Sequence, residues 1–273
     1  MAKRVYKNIN GVARRCQKMY PGVDAVSRKT KKGYIGVNGV ARQFFQSEIR
    51  MSDLSVGSSV YMNVNGVRTE FLIVNKGLPS SAYDSSCNGT WLLMKDIYTI
   101  DAWDRADNGY NNHYNDALIN TLTLNSIFNR LDSDIQDIIV EAKIPYTYFA
   151  DGSYDSGELR SGASGLSSRL FLLSYAEVGF TTSSVSMTTE GTRLSYFSSG
   201  HGTTADNKRL AYHNGTATSW WLRSPSAIGY GSIAYVGTNG DYNTANNYTT
   251  YGVRPALIIP STTLCDENFN ILV

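Results

Sequence analysis

Three histidines are the first residues to weigh for acid–base chemistry. His113 lies in Gly109-Tyr110-Asn111-Asn112-His113, His201 between glycines, and His213 beside Tyr212. A Ser-His-Asp constellation needs a nucleophile, a base and an orienting acid, and no spacing in the chain selects one. Asp151-Gly152-Ser153-Tyr154-Asp155-Ser156-Gly157-Glu158 approaches the spacing of a calcium loop. It lacks the full oxygen-ligand pattern and the following helix, so it reads as a solvated acidic loop. Cys16, Cys87 and Cys265 are scattered, with no Cys-x-x-Cys or Cys/His cluster to hold zinc. No catalytic residue, metal ligand or cofactor is expected, and the chain reads as a binder rather than an enzyme.

The best-defined chemistry lies between Trp220 and Leu257. Trp220-Trp221-Leu222-Arg223-Ser224-Pro225 and Gly252-Val253-Arg254-Pro255-Ala256-Leu257 are apolar runs, each carrying one arginine. They enclose residues 226–251, which contain no Lys, Arg, Glu, Gln, Met or Trp. Tyr, Ser, Gly and Asn dominate that middle, and these are the residues that binding surfaces use: rigid aromatic anchors among adaptable hydrogen-bonding groups. The contact surface is expected at Ala227, Ile228, Tyr230, Ser232, Tyr235, Thr238, Asn239, Asp241, Asn243, Asn246, Asn247, Thr249 and Tyr251. A buried arginine forks naturally onto a carboxylate or onto backbone carbonyls. Arg223 and Arg254 are therefore read as structural ties between the flanking strands rather than as a ligand clamp. Trp220 and Trp221, adjacent in a strand, must point to opposite faces.

Other elements must hold that surface in place. Val60–Met62, Glu70–Val74 and Trp91–Met94 read as three core strands, with a serine-rich loop over residues 77–89 between the last two. Ala117, Leu118, Leu122, Leu124, Ile127, Phe128 and Leu131 repeat at helical spacing, and Asp132 or Ser133 can cap a second helix carrying Ile135, Ile138 and Ile139. Phe171-Leu172-Leu173 predicts a short strand. Ser174-x-x-Glu177 has the form of a capping box and predicts a short helix. Residues 179–215 read as loop, and the tail from Cys265 as a last strand or an ordered end. Asn88, Asn214 and Asn247 open glycosylation-type triplets that are read here as turns.

The chain opens on a repeat. Tyr6–Arg14 returns as Tyr34–Arg42, each with a central Asn-Gly, and a shorter echo spans Tyr61–Arg68. Asn-Gly between β-rich runs signals a hairpin, because a type I′ turn needs positive φ at both central residues. The 273 residues carry a net charge of only +2, unevenly spread: residues 1–50 hold 12 Lys and Arg against 2 Asp and Glu, and the remainder hold 13 against 21. A basic arm on an acidic body suggests two modules, 1–50 and 51–273. Nucleic-acid binding, docking onto an acidic assembly, and a merely solvated surface all fit the arm. No apolar run approaches membrane-spanning length, and no signal core opens the chain.

The two flanking motifs with their Gly/Ser/Asn/Tyr-rich middle, together with Leu92-Leu93-Met94, residues 117–131 and Phe171–Gly179, resemble a bacterial and phage family with the C-type lectin fold. That family includes the variable proteins of diversity-generating retroelements. The likeness covers roughly residues 51–260. It implies an α+β, C-type-lectin-fold domain behind a small N-terminal β-hairpin repeat module similar to those of prophage structural proteins. In such systems adenines are miscopied, so AAY codons reach Asn, Asp, Tyr, Ser, Gly, Thr, Ala, Ile and Val but not Lys, Glu, Gln, Met or Trp. Residues 226–251 obey that exclusion. The resemblance implies a phage or prophage tail-associated host-recognition protein. Its partners would be a host cell-surface protein or glycan, and other tail proteins through residues 1–50, with a homotrimer as one assembly and no membrane insertion. It would be located in the virion, or in the bacterial cytoplasm before assembly. The alternatives are a bacterial binding module with an invariant surface, or an enzyme on the formylglycine-generating fold, whose reactive cysteine pair has no counterpart here.

Overall fold

The computed structural model describes residues 48–104, 112–150, 157–181, 188–197, 202–226 and 231–273, and the backbone of strand segments between 6 and 46. The chain divides into two compact units, Met1–Leu54 with Thr262–Val273, and Ser55–Ser261. In the first unit Tyr6–Ile9 pairs antiparallel with Val12–Arg15, and Lys32–Val37 with Val40–Gln46. The Asn10-Gly11 and Asn38-Gly39 turns lie outside the described residues. Ile49–Arg50 pairs with Leu264–Cys265, which pairs in turn with Ile271–Leu272. The C-terminal tail, read from the sequence as part of 51–273, is thus a strand partner of the N-terminal unit.

The second unit is mainly β-sheet with a few short helices. Its main strands are β1 (Ser59–Val64), β2 (Val67–Lys76), β3 (Thr90–Met94), β4 (Thr99–Ala102), β5 (Leu170–Phe171), β6 (Trp220–Pro225), β7 (Ser232–Val236), β8 (Tyr242–Asn246), β9 (Thr250–Val253) and β10 (Ala256–Ile259). They form two five-stranded sheets, in the orders β5-β10-β3-β2-β1 and β4-β9-β6-β7-β8.

The three expected core strands are β1, β2 and β3. Asn65 and Gly66 between β1 and β2 have φ of 53° and 73°, the positive pair that a type I′ turn requires. The Tyr61–Arg68 echo is therefore a hairpin of this unit. Every residue of β3 and β10 is buried, as is Phe71–Asn75 of β2. An unbroken apolar run fits strands covered on both faces. Trp91 anchors this layer, edge-on to Tyr83 and Phe171 at 5.5 Å each.

The helical segments are shorter than the periodicity suggests. A π-helix over Ile119–Leu124 runs into α1 (Asn125–Phe128), and α2 spans Ser133–Ile138. The wider π turn shifts side-chain spacing. Ile119, Leu124 and Ile127 are buried while Leu122 is turned out, 56% exposed. Asp132 precedes α2 but does not cap it; its carboxylate accepts from Asn63 Nδ2 at 3.0 Å. The Ser174–Glu177 capping box forms reciprocally: Glu177 N–H donates to Ser174 Oγ and Ser174 N–H to Glu177 Oε2. Instead of a helix it opens a turn that ends at Gly179, whose φ is 80° and whose N–H donates to Ala176 O, while the Glu177 carboxylate also receives Arg223. Among the described residues no helix is long and apolar enough to cross a membrane.

Candidate ligand-binding face

Both flanking motifs are buried without a break, residues 220–226 on one side and 252–259 on the other. They are paired only in part. β6 and β9 run parallel through Trp220 and Gly252, but β10 belongs to the other sheet. The chain changes sheets at Arg254-Pro255. Arg254 secures that crossing: Nε donates to Met94 O at 2.8 Å and Nη2 to Lys95 O at 2.9 Å, with the guanidinium 4.8 Å from the Trp220 ring. Burial lowers its pKa to about 10, which leaves it charged at neutral pH.

Arg223 reaches elsewhere. It forks onto Glu177, Nη1 to Oε2 and Nη2 to Oε1, both at 2.7 Å, and donates to the carbonyls of Pro145 and Leu172. Glu190 lies 3.7 Å from its Nε, and all three side chains are completely buried. Glu190 accepts from Thr147 N–H, Thr147 Oγ1 and Ser224 Oγ. Burial pushes its carboxyl pKa upward, against the pull of Arg223, Ser224 and Thr147. The two arginines therefore act as structural ties, as expected, but each binds its strand to a different part of the molecule instead of to the other arginine's strand.

Between these fixed ends a row of side chains crosses the second sheet. Pairing sets Asp101 of β4 beside Tyr251 of β9, Trp221 of β6 beside Tyr235 of β7, and Tyr235 beside Asn243 of β8. The Tyr251 ring lies 4.9 Å from Trp221 and 4.3 Å from Tyr235. Trp221 is wholly buried and its indole N–H donates to Asp101 O at 3.1 Å. The two tyrosines are half-buried above it, and Asn243 is exposed. Burial, a shared hydrogen bond with Tyr251 and the Asp241 charge all raise the Tyr235 phenol's pKa.

The expected contact residues do not share one surface. Alternation along paired strands puts Tyr235 and Asn243 on this face, and Ser232 and Asn246, which are opposite one another, on the reverse. On that reverse face Tyr242 meets Tyr175 and Phe180, and burial raises its phenol to about 12. Thr238 and Asn239 are exposed in the β7–β8 turn, where Asn239 Oδ1 accepts from Asp241 N–H. Thr249 is partly exposed in the β8–β9 turn and donates its N–H to Asn246 O. Asn247 is a correction: it is fully buried, its carbonyl accepting from Asp104 N–H and its own N–H donating to Gly231 O. A tight return from β8 to β9 forces it inward as a brace. Ala227, Ile228 and Tyr230 lie outside the described residues.

Asp101 was not anticipated. It sits in a polar strand more than a hundred residues from the segment it joins, and only the β4–β9 pairing reveals it. Its Oδ2 accepts from Thr123 Oγ1 at 2.7 Å and its Oδ1 from Ala102 N–H at 2.9 Å. Beside it is a cavity of about 290 Å³ lined by Tyr98, Leu122, Thr123 and Arg130, among others.

Among the described residues, His113 and His213 are held by local contacts. His113 stacks on Phe149 at 5.5 Å with Asp116 3.9 Å away, His213 belongs to the Tyr212–Ala217 hairpin, and His201 lies outside the described residues. Most of the acidic loop at 151–158 also lies outside them. Among the described residues, no three His, Cys, Asp or Glu are placed to hold a metal ion.

The profile of one protein family, described as a domain of unknown function (DUF6273), matches residues 88–261. The chain belongs to the DUF6273 family. The DUF6273 match takes in every strand from β3 to β10, hence the whole face and both arginine ties, and ends with the second unit. The β1–β2 hairpin lies outside it. No curated protein matches the chain, and no solved structure does.

Proposed function

We propose that this chain is a non-enzymatic ligand-binding protein that presents the β9-β6-β7-β8 face to a receptor. In this reading the second unit is a C-type-lectin-fold domain of the kind found in variable proteins of diversity-generating retroelements. The protein then serves phage or prophage host recognition from the virion tail, with residues 1–50 docking onto other tail proteins. The carrying observation is the contrast in burial. Residues 220–226 and 252–259 are buried throughout, whereas most described positions from 232 to 251 are open to solvent to some degree. A rigid frame around a permissive, Tyr- and Asn-rich surface is the design of a binding site whose side chains can vary while the backbone holds.

Host adsorption tests the proposal. Tyr235→Ala combined with Tyr251→Ala is expected to abolish adsorption to host cells while the protein stays folded; unchanged adsorption refutes the assignment. In the genome, a neighbouring reverse transcriptase gene and a near-copy of codons 226–252 are the expected companions. Their absence favours a bacterial binding module with an invariant surface.

A further inference from the structure

The charges around this face indicate what it binds, an inference that rests on the ligand-binding reading above. The row from Asp101 to Asn243 crosses five strands. With neighbouring strands about 4.8 Å apart it extends about 19 Å, the scale of a protein epitope's centre and longer than a single sugar ring. Its rings are anchored, since Tyr235 and Tyr251 lean on each other and on the buried Trp221. Rigid aromatic anchors of this kind make binding hot spots.

The acidic side chains beside the row are two aspartates. Asp101 stands next to Tyr251, and Asp241 acts on the Tyr235 phenol. Asp241 is the only ionisable acid or base other than tyrosine in residues 226–251. Arg130, in the cavity beside Asp101, donates to the Tyr98 hydroxyl at 3.2 Å. An ionised carboxyl offers about four lone-pair sites over its two oxygens. The Thr123 hydroxyl takes one site on Oδ2 and the Ala102 N–H one on Oδ1. Both oxygens thus keep acceptor capacity while Thr123 and the Ala102 N–H hold the group still. A fixed carboxylate with two receptive oxygens, next to paired phenol rings, matches a planar fork of donors that also stacks on aromatic faces.

We propose that the face engages a protein partner through an arginine of that partner, its guanidinium stacked on Tyr251 and Tyr235 and forked onto Asp101. A lysine ammonium supplies the charge but neither the plane nor the fork, so arginine is preferred.

The test uses the full chain with labelled tyrosine rings, titrated in an NMR experiment with acetyl-Gly-Ser-Arg-Ser-Gly-amide. Parallel titrations use the same peptide with citrulline, the neutral isostere, or with lysine. The arginine peptide is expected to shift the Tyr235 and Tyr251 signals saturably, at a concentration about tenfold or more below that needed for citrulline, as a charge-assisted pair requires. Asp101→Asn, which retains an acceptor for Thr123, is expected to remove that advantage. Asp134→Asn, the same charge change on exposed α2, is expected to preserve it. Equal responses to arginine and citrulline, or to arginine and lysine, overturn the inference. So does an Asp101→Asn protein that behaves like the Asp134→Asn control. If the tyrosine variants lose adsorption while the arginine peptide leaves the signals unmoved, the face binds a different chemistry and only this inference falls. If adsorption is unchanged in those variants, the binding-face reading itself falls.

Discussion

Replacing Arg223 with Met keeps most of its volume and removes its charge. Four hydrogen bonds of 2.7–2.9 Å are lost, two of them the fork to Glu177. What remains is Glu177 and Glu190, both fully buried and without their cation. Breaking a buried pair from one side costs about 3–5 kcal/mol, because it leaves a charge uncompensated in a low-dielectric site. For a unit of this size each kcal/mol moves Tm by about 2–4 °C, so the expected fall is about 6–20 °C at pH 7. The pH dependence follows from Glu190. Its folded-state pKa is already raised by burial, and removal of Arg223 raises it further. A group with a raised folded pKa contributes stability that is fully present below its unfolded pKa and is lost as pH rises through the folded value. The variant's deficit should therefore be greatest near pH 7 and shrink as pH falls toward the ordinary carboxyl range of about 4. Urea denaturation at pH 7, 6 and 5 measures this directly. Adding Glu177→Gln to Arg223→Met should restore part of the loss, since one stranded charge is removed. A variant within about 1 kcal/mol of the parent at pH 7, or a deficit independent of pH, refutes the claim that this ion cluster ties β6 to the molecule.

Three other outcomes can be checked with simple assays. Tyr251→Ala should lower ligand affinity by about 2 kcal/mol or more, as hot-spot truncations do, in a binding titration run beside a thermal melt. Gly240→Ala should destabilise by more than about 1 kcal/mol in urea, because φ is 82° and a Cβ would come within 2.2 Å of Asp206 O. An exposed-loop control such as Asn239→Ala should stay within about 0.5 kcal/mol. Burial raises the Cys87 thiol to about 12 and the Cys265 thiol to about 11. In a Cys16→Ser background the native protein should therefore resist an aromatic disulfide reagent at pH 8, whereas in urea both thiols should react.

Much of the scaffold was legible from short stretches of sequence. Asn65-Gly66 specifies its turn because two consecutive residues must adopt positive φ. The β3 and β10 runs announce their burial, and Ser174 and Glu177 find each other across three residues. Helix length was overestimated because 3–4 spacing cannot distinguish an α-helix from a π turn, and Leu122 is the residue that exposes the difference. Asn247 was misplaced because composition cannot tell a displayed amide from one folded inward at a tight return.

The sequence by itself determined a rigid pair of flanking motifs around a permissive segment, since apolar runs, turn pairs and caps act through neighbouring residues. Only the tertiary structure decided that Glu177 and Glu190 receive Arg223, that β9 and β10 part into different sheets, and that Asp101 stands in line with Tyr251. These facts depend on strand order and register. Both are set by burying all faces at once, and a one-residue slip would turn every side chain of the row to the opposite side.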